Sequence, residues 1–363
     1  MLQRFRRGMA AVAGRTGSDR SRPGDDDAAV YVPVGVSVLA TVLLFLAGSR
    51  WTVLPFLAFV ATVAVGWVRR QAATAKALTF LATVATVAVL ALIVTFLLAR
   101  SAPAVRAMGL DLVTRTEAPL WGGDGGRIWS LAPMIVGTAV TTVIATLIAA
   151  PLGVAGAVFV SEMAPGRVRD VVKPGIELLA GIPSITYGFV GLTVLNQYFY
   201  QEFRTPTIGN YFAAGLMIGV MALPTVVTVA EDALSAVPDS MKRGSLAVGT
   251  TEWQTTRSVT VPAALSGVSA GVLLGVGRAM GETMAATVML SHTKGFPTPV
   301  FDAFSNYGET LTTVIAFEGG NASGLHMSAL FAAGVVLFGT VMTLSVASQW
   351  VEWRMRRTLG GDG

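Results

Sequence analysis

Cysteine is missing from this 363-residue sequence, and its absence excludes disulfide bonds, thiolate metal sites and a cysteine nucleophile. Histidine is nearly missing as well. The only two histidines, His292 and His326, lie in polar connecting segments, where we expect solvated side chains rather than a metal site. The nucleotide-binding motif Gly-x-x-x-x-Gly-Lys-Ser/Thr is also absent. We therefore expect no cofactor, no ATP hydrolysis and no other enzymatic activity in this chain.

Charge is scarce too. Only 13% of the residues are charged and 53% are hydrophobic, whereas soluble domains are about 25% charged. A helix crosses the lipid core with roughly 20 apolar residues, and eight stretches come close to that length. They are 30–48, 51–68, 77–98, 133–160, 176–198, 211–230, 263–290 and 328–350. The sequence thus predicts an all-α polytopic membrane protein with about eight transmembrane helices.

The basic residues predict the orientation of these helices. Of the 26 lysines and arginines, 18 fall in the tails and connections that would be cytoplasmic if the N-terminus is inside, and 7 fall in the opposite connections. Cytoplasmic loops carry such an excess. Both termini are therefore expected in the cytoplasm, and the net charge of +5 indicates membrane topology rather than nucleic-acid binding.

The spans and connections predict five regions along the chain. They are a polar cytoplasmic tail at 1–29, an additional transmembrane hairpin at 30–70, a first core helix with an external loop at 71–132, a multi-span membrane domain at 133–353 and a cytoplasmic tail at 354–363. The domain at 133–353 includes a long connection, loop 231–262. We use that name for it below.

Loop 231–262 is longer than a turn between two spans requires. If its centre is one helix, Leu246, Gly249 and Trp253 follow at i, i+3 and i+7, so that two large apolar side chains flank a glycine on one face. Because glycine is costly inside a helix, Gly249 must serve either a close partner or a turn. Pro262 is expected to start the next span. The alternative is an ordinary amphipathic surface helix.

The seventh predicted span contains an unusual pattern of small and charged residues. Gly267, Gly271, Gly275, Arg278 and Glu282 follow in steps of 4, 4, 3 and 4, which would place them on one helical stripe. The three glycines predict close helix packing. A charged residue within a span is by default a functional candidate, and we expect Arg278 to pair with Glu282. The alternative is a structural ion pair that joins two subunits.

Loop 231–262 also resembles a known motif. The pattern Gly-x9-Val-Thr-Val-Pro from Gly249 to Pro262 is similar to the cytoplasmic coupling loop of ABC-importer permeases. The usual acidic-Ala-Ala opening is replaced here by Arg243, Gly244 and Ser245. The resemblance implies contact with an ATPase subunit through a set of loop residues, namely Gly244, Ser245, Leu246, Ala247, Gly249, Thr250, Trp253 and Pro262.

Three longer strings extend this resemblance: Met134–Pro165, Glu177–Leu192 and Gly277–Leu290 resemble the PstC-type permease subunits of phosphate ABC importers, in the MetI-like family. The resemblance covers about 133–354. It implies a MetI-like core of six helices with the first two spans as an addition, in the plasma membrane of a prokaryote. It also implies phosphate translocation past Arg278, Glu282 and Thr283.

The expected partners are a homologous PstA-type permease subunit, two ATPase subunits, an extracytoplasmic phosphate-binding protein and membrane lipid, without nucleic acid. Three other functions stay open at this stage. They are a permease for another oxyanion such as molybdate or sulfate, a proton-coupled secondary anion transporter that uses Arg278 and Glu282, and a membrane scaffold without transport.

Overall fold

The structure is a computed structural model that describes residues 25–300, 302–304 and 306–359. The predicted tails therefore lie largely (1–29) or partly (354–363) outside the described residues. The described residues form two compact units, which are divided between Ile93 and Val94.

The first unit is a helical hairpin followed by part of a third helix. It contains α1 (Asp25–Leu46), a 3₁₀ turn (Arg50–Thr52), α2 (Val53–Arg69) and the first part of α3 (Gln71–Met108). Its small core contains Val30, Val34, Ala73 and Ala77. Most of its other large apolar side chains are exposed, as lipid-facing side chains are expected to be.

The second unit is a bundle of helices of unequal length. Its helices after α3 are α4 (Asp111–Thr114), α5 (Ala132–Val158), α6 (Gly166–Gly181), α7 (Ser184–Val190), α8 (Gln197–Glu202), α9 (Tyr211–Ser235), α10 (Asp239–Ala247), α11 (Glu252–Thr255), α12 (Val261–Ala263), α13 (Leu265–Gly281), α14 (Met284–Met289), α15 (Leu311–Glu318) and α16 (Gly324–Leu359).

Two further kinds of element complete this unit. Strands β1 (Trp121–Gly122) and β2 (Ile128–Trp129) form an antiparallel hairpin in which Trp121 is paired with Trp129. π-Helical segments extend α5 at Phe159–Met163, join α7 to α8 at Gly191–Asn196 and join α11 to α12 at Thr256–Thr260. A π-helical turn contains about one more residue than a turn of α-helix, and such turns are frequent at functional sites.

Helix α9 lies at the centre of this unit and packs against α5 and α13. The helix-packing glycines predicted in α13 face it: a Cβ atom on Gly267 would collide with Ala233, and one on Gly275 would collide with Val226. Gly271 meets the backbone of α9 at Ala230. Without side chains at these positions, the two helices approach closely enough for backbone contact.

The described residues contain fewer candidate membrane-spanning helices than the roughly eight that the sequence predicts. Among the described residues, five helical segments are long and apolar enough to cross a membrane, and the count rises to seven if each of two bent pairs is one span. The predicted first span is helical, but its apolar part, Val30–Leu46, is shorter than a full crossing. The all-α polytopic fold is confirmed.

The first bent pair interrupts a span that the sequence predicted to be continuous. The second lies at the start of another predicted span. The predicted span 176–198 is bent by 89° between Gly181 and Ser184, because Pro183 disfavours a helical conformation at Ile182. The second bend, of 72°, separates α12 from α13. The predicted span 263–290 is also interrupted after α13, where Glu282 is extended with φ −66° and ψ 122°.

Candidate functional site

The interruption between α13 and α14 changes the expected geometry of the charged pair. The predicted stripe that included both Arg278 and Glu282 is wrong, because α13 ends at Gly281. The Glu282 carboxylate instead accepts a hydrogen bond from the Ala285 N–H, 3.0 Å away, and so caps the first turn of α14. Its carbonyl oxygen accepts a hydrogen bond from the Thr312 hydroxyl at 2.9 Å.

Arg278 is consequently left without the partner predicted for it. Its side chain is exposed, and it forms none of the ion pairs found within the described residues. Glu282 and Thr283 are both half-buried beside it. An exposed guanidinium next to a helix break can bind an anion directly.

The two interrupted helices meet near their breaks. Helix α14 packs on α7, and the Asn196 amide, which is fully buried, donates to the Met289 carbonyl at 2.8 Å. The Tyr187 hydroxyl donates to the Leu179 carbonyl at 2.9 Å and so spans the 89° bend. The strings around Ser184 and Thr283, which are distant in sequence, thus form one structural feature.

The contact between α7 and α14 gives a stability prediction at Gly188. A Cβ atom there would lie 2.7 Å from the Ala285 Cα and 3.0 Å from its carbonyl oxygen, and backbone cannot move aside as a flexible side chain does. We expect Gly188→Val to destabilise the protein by about 1–3 kcal/mol, the usual cost of overpacking. Thermal unfolding of purified protein measures this. Gly181→Val is the matched control because a Cβ there meets nothing within 4 Å, and equal unfolding temperatures would contradict the prediction.

Loop 231–262 contains two short helices rather than one. Helix α10 ends at Ala247, Gly249 has a φ of +93°, and Thr251 begins α11 with a capping box to Gln254. The predicted single face of Leu246, Gly249 and Trp253 is therefore wrong. Of the two roles considered for Gly249, the structure shows the turn, because this φ favours glycine.

Hydroxyl groups connect the two helices across this turn. The Thr250 hydroxyl donates to the Ser245 carbonyl at 2.8 Å and lies 2.9 Å from the Thr255 hydroxyl. Thr255 in turn donates to the Ser245 hydroxyl at 3.1 Å and is itself buried. Ser245 and Thr250 thus stabilise the loop from within and present little of their surface to a partner.

Loop 231–262 exposes several large apolar side chains together with small residues. Met241, Leu246, Val248 and Trp253 all have side chains at least 41% exposed. Gly244 and Ala247 on α10 and Pro262 on α12 are exposed too. Exposed apolar groups that are clustered in this way indicate a protein-binding surface.

Ion pairs connect this loop to the long helices. Lys242 on α10 contacts Glu162, in the π-helical end of α5, at 2.7 Å, and the Glu162 side chain is only 9% exposed. Glu231 at the end of α9 contacts Lys173 of α6 at 2.8 Å. A displacement of α10 would therefore act on α5 through a short, largely buried ion pair.

A second polar cluster, here called the carboxylate network, consists of Trp121, His292, Lys294, Glu309, Glu318 and His326. Lys294 lies between two carboxylates, 3.4 Å from Glu309 and 2.5 Å from Glu318. His292 contacts Glu309, and His326 contacts Glu318, each at 2.7 Å. The Trp121 indole N–H donates to Glu318 at 2.8 Å.

The carboxylate network corrects the expectation that both histidines are solvated. His292 stacks on Phe317 with ring centroids 3.7 Å apart, and His326 stacks on Trp129 at 4.1 Å. The network was missed because its members are far apart in the sequence: His292 and Glu309 are separated by 17 residues, and Trp121 and Glu318 by 197. The capping box at Thr251, by contrast, was a local signal that could have located the second helix of loop 231–262.

Comparison with known proteins adds a family match. Residues 149–357 match the family described as "Binding-protein-dependent transport system inner membrane component". The "Probable ABC transporter permease protein YqgH" of Bacillus subtilis is 40% identical over 217 residues, which are 59% of this chain and 69% of that protein.

Several similar proteins are named "Phosphate transport system permease protein PstC". The one from Haemophilus influenzae is 33% identical over 62% of this chain and 76% of its own length. The one from Mesorhizobium japonicum is 33% identical over 73% and 84%. A solved inward-facing structure of the MetNI methionine ABC transporter covers 62% of this chain and 96% of its own, with a TM-score of 0.51 and 18% identity, and so supports the fold.

Proposed function

This chain belongs to the family of binding-protein-dependent transport system inner membrane components, and on that premise we propose that it is the permease subunit of an ABC importer that moves inorganic phosphate into the cell. One observation carries the proposal. The proteins named as phosphate permeases are similar over most of their length, and residues 149–357, which match the permease family, include a structural break with an exposed arginine.

Arg278 is the residue proposed to attract phosphate within the membrane. Phosphate is an anion at neutral pH, and guanidinium matches its oxygens with paired hydrogen bonds. Glu282 does not neutralise Arg278, since it caps α14, and its role is to hold the break together with Thr283. The cation therefore remains available to an anion that passes along the exposed side of α13.

The partners follow from this function. We propose a PstA-type permease as the second subunit, two ATPase subunits at loop 231–262, and a phosphate-binding protein on the outer side. The apolar surface around Leu246 and Trp253 supports the ATPase contact, and the Lys242–Glu162 ion pair supports transmission of its movement to α5. The chain carries no cofactor, and both termini are cytoplasmic.

Transport by the reconstituted complex tests this proposal. Proteoliposomes with ATP inside should take up radiolabelled phosphate when the binding protein is present outside. Excess sulfate or molybdate should not compete. Preferred uptake of either competitor would replace phosphate by another oxyanion, and uptake driven by a proton gradient without ATP would replace the importer by a secondary transporter.

A further inference from the structure

Glu309 is the most deeply buried carboxylate of the carboxylate network. Its side chain has no exposed surface, and its two oxygens face His292 and Lys294 from the connection that follows α14. A buried ion pair is often no more stabilising than apolar residues of similar size. A leucine could fill this space without a charge, so the carboxylate indicates a role other than packing.

The chain continues from Glu309 directly to the break beside Arg278. Thr310 caps α15, and the Leu311 N–H donates to the Thr138 hydroxyl of α5 at 2.9 Å. One residue later, the Thr312 hydroxyl donates to the Glu282 carbonyl at 2.9 Å. Three residues after the buried carboxylate, a hydrogen bond thus reaches the backbone of the break.

Helix α5 also contacts Glu309 through its backbone. A Cβ atom on Gly137 would collide with the Glu309 carbonyl oxygen, so a glycine permits this approach. The start of α15 is thereby confined between α5, the connection that carries Lys294, and the break at Glu282. A change in the charge of Glu309 cannot be relieved by a free movement of this segment.

We propose that Glu309 is a positioning residue, which fixes the start of α15 through Lys294 and His292 and, through Thr312 and Glu282, holds the break that presents Arg278. This inference rests on the proposed transport function, because it concerns the placement of the residue that attracts phosphate. It adds a second requirement to that function, namely that the carboxylate network stays charged.

The charge state of Glu309 depends on pH in a defined direction. Burial raises the pKa of Glu309, and the hydrogen bond from His292 and the charge of Lys294 offset this only in part. Tyr211 of α9 also faces it. Burial alone would raise the pKa of Glu318 too, but hydrogen bonds from Lys294, Trp121 and His326 outweigh it and lower that pKa.

As the pH falls, Glu309 is therefore protonated before Glu318 and loses its attraction to Lys294. The positioning that depends on the charged form is present above the raised pKa of Glu309 and is lost as the pH falls through it. Phosphate uptake should consequently decline on the acid side at a pH set by Glu309.

The first test is the pH profile of uptake by the reconstituted complex, with the inside pH held constant. Glu309→Gln keeps the shape of the side chain and removes its charge. We expect uptake at neutral pH to fall roughly tenfold, as displaced functional groups reduce rates by such factors. The acid decline should move to lower pH, where Glu318 titrates. A variant that keeps wild-type uptake, or that loses it in equal proportion at every pH, would overturn the proposal.

A second test does not require phosphate transport. Because the chain has no cysteine, Gly281→Cys provides a single thiol at the break, at a position with open space around it. We expect a thiol reagent to modify it several times faster when Glu309→Gln or Thr312→Val is added. Thr343→Val is the matched control, since that hydroxyl bonds only to the Gly339 carbonyl of its own helix.

The pH profile and the thiol test distinguish the positioning role of Glu309 from the proposed transport of phosphate. An unchanged thiol rate in both Glu309→Gln and Thr312→Val overturns the positioning role, whatever the complex transports. A changed thiol rate in a complex that hydrolyses ATP but does not import phosphate supports the positioning role and overturns the proposed substrate. If Glu309→Gln fails to assemble, Thr312→Val decides by the same measurements.

Discussion

Phosphate uptake is expected to fall roughly tenfold to a hundredfold when Arg278 is replaced by glutamine. Hydrogen bonds to charged groups contribute about 1.5–3 kcal/mol, and each 1.4 kcal/mol is a factor of about ten. Because Arg278 is exposed and has no ion pair within the described residues, its removal leaves no buried charge behind. Assembly should therefore be normal.

The measurement is ATP-driven uptake of radiolabelled phosphate, normalised to assembled complex. Arg278→Lys should restore only part of the activity, because a point charge replaces a planar pair of donors. Arg100→Gln is a suitable control, since that guanidinium lies over the Phe96 ring, 5.3 Å from its centroid. A loss of assembly in Arg278→Gln that accounts for all lost uptake would contradict the prediction.

The double variant Arg278→Gln with Glu282→Gln distinguishes a transport role from a structural pair. A structural pair predicts recovery when both charges are removed together. In the structure Glu282 caps α14 and does not contact Arg278 as a partner, so we expect no recovery. Near-normal uptake by the double variant would show that the two residues serve only to balance each other.

Replacing Gly249 by valine should uncouple ATP hydrolysis from phosphate uptake. The φ of +93° at this position strains a β-branched residue, with a cost on the order of 1–3 kcal/mol. The turn would then adopt another conformation and would change the relative orientation of α10 and α11. The apolar surface that includes Leu246 and Trp253 would no longer fit its partner.

The ratio of ATP hydrolysed to phosphate imported measures this effect and should rise severalfold. Gly249→Asn should change the ratio less, because asparagine tolerates positive φ better than other side chains. Gly244→Val adds the same bulk to α10, where a Cβ meets nothing within 4 Å, and should stay close to wild type. An unchanged ratio in Gly249→Val would show that the turn does not transmit movement.

The fold class could be predicted from the sequence because the length of an apolar stretch and its low content of charged residues are local properties. The glycines of α13 also face a neighbouring helix, since three glycines at steps of four indicate one face regardless of the partner. The same periodicity also placed Glu282 on this helix face, and that prediction was wrong. The helix ends at Gly281, and the Glu282 carbonyl accepts a hydrogen bond from Thr312, thirty residues away, a contact that no local pattern contains.

The carboxylate network was beyond sequence reasoning for a related reason. His292 and Glu309 are 17 residues apart, and Trp121 and Glu318 are 197 residues apart. Only the folded chain brings them together. Single polar residues in connections look solvated when their partners are unknown, which is why both histidines were misjudged.

One π-helical segment lies within loop 231–262, and another extends α5 where the loop contacts it. Thr256–Thr260 follows α11 directly, and Phe159–Met163 contains Glu162, the partner of Lys242. When the hydrogen bonds of a π turn are exchanged, its extra residue can move to the adjacent turn. Because a helix has 3.6 residues per turn, a shift by one residue rotates the intervening part of the helix by about 100°. Movement of loop 231–262 can therefore become axial rotation at the end of α5, which changes the side chains that this helix presents to its neighbours.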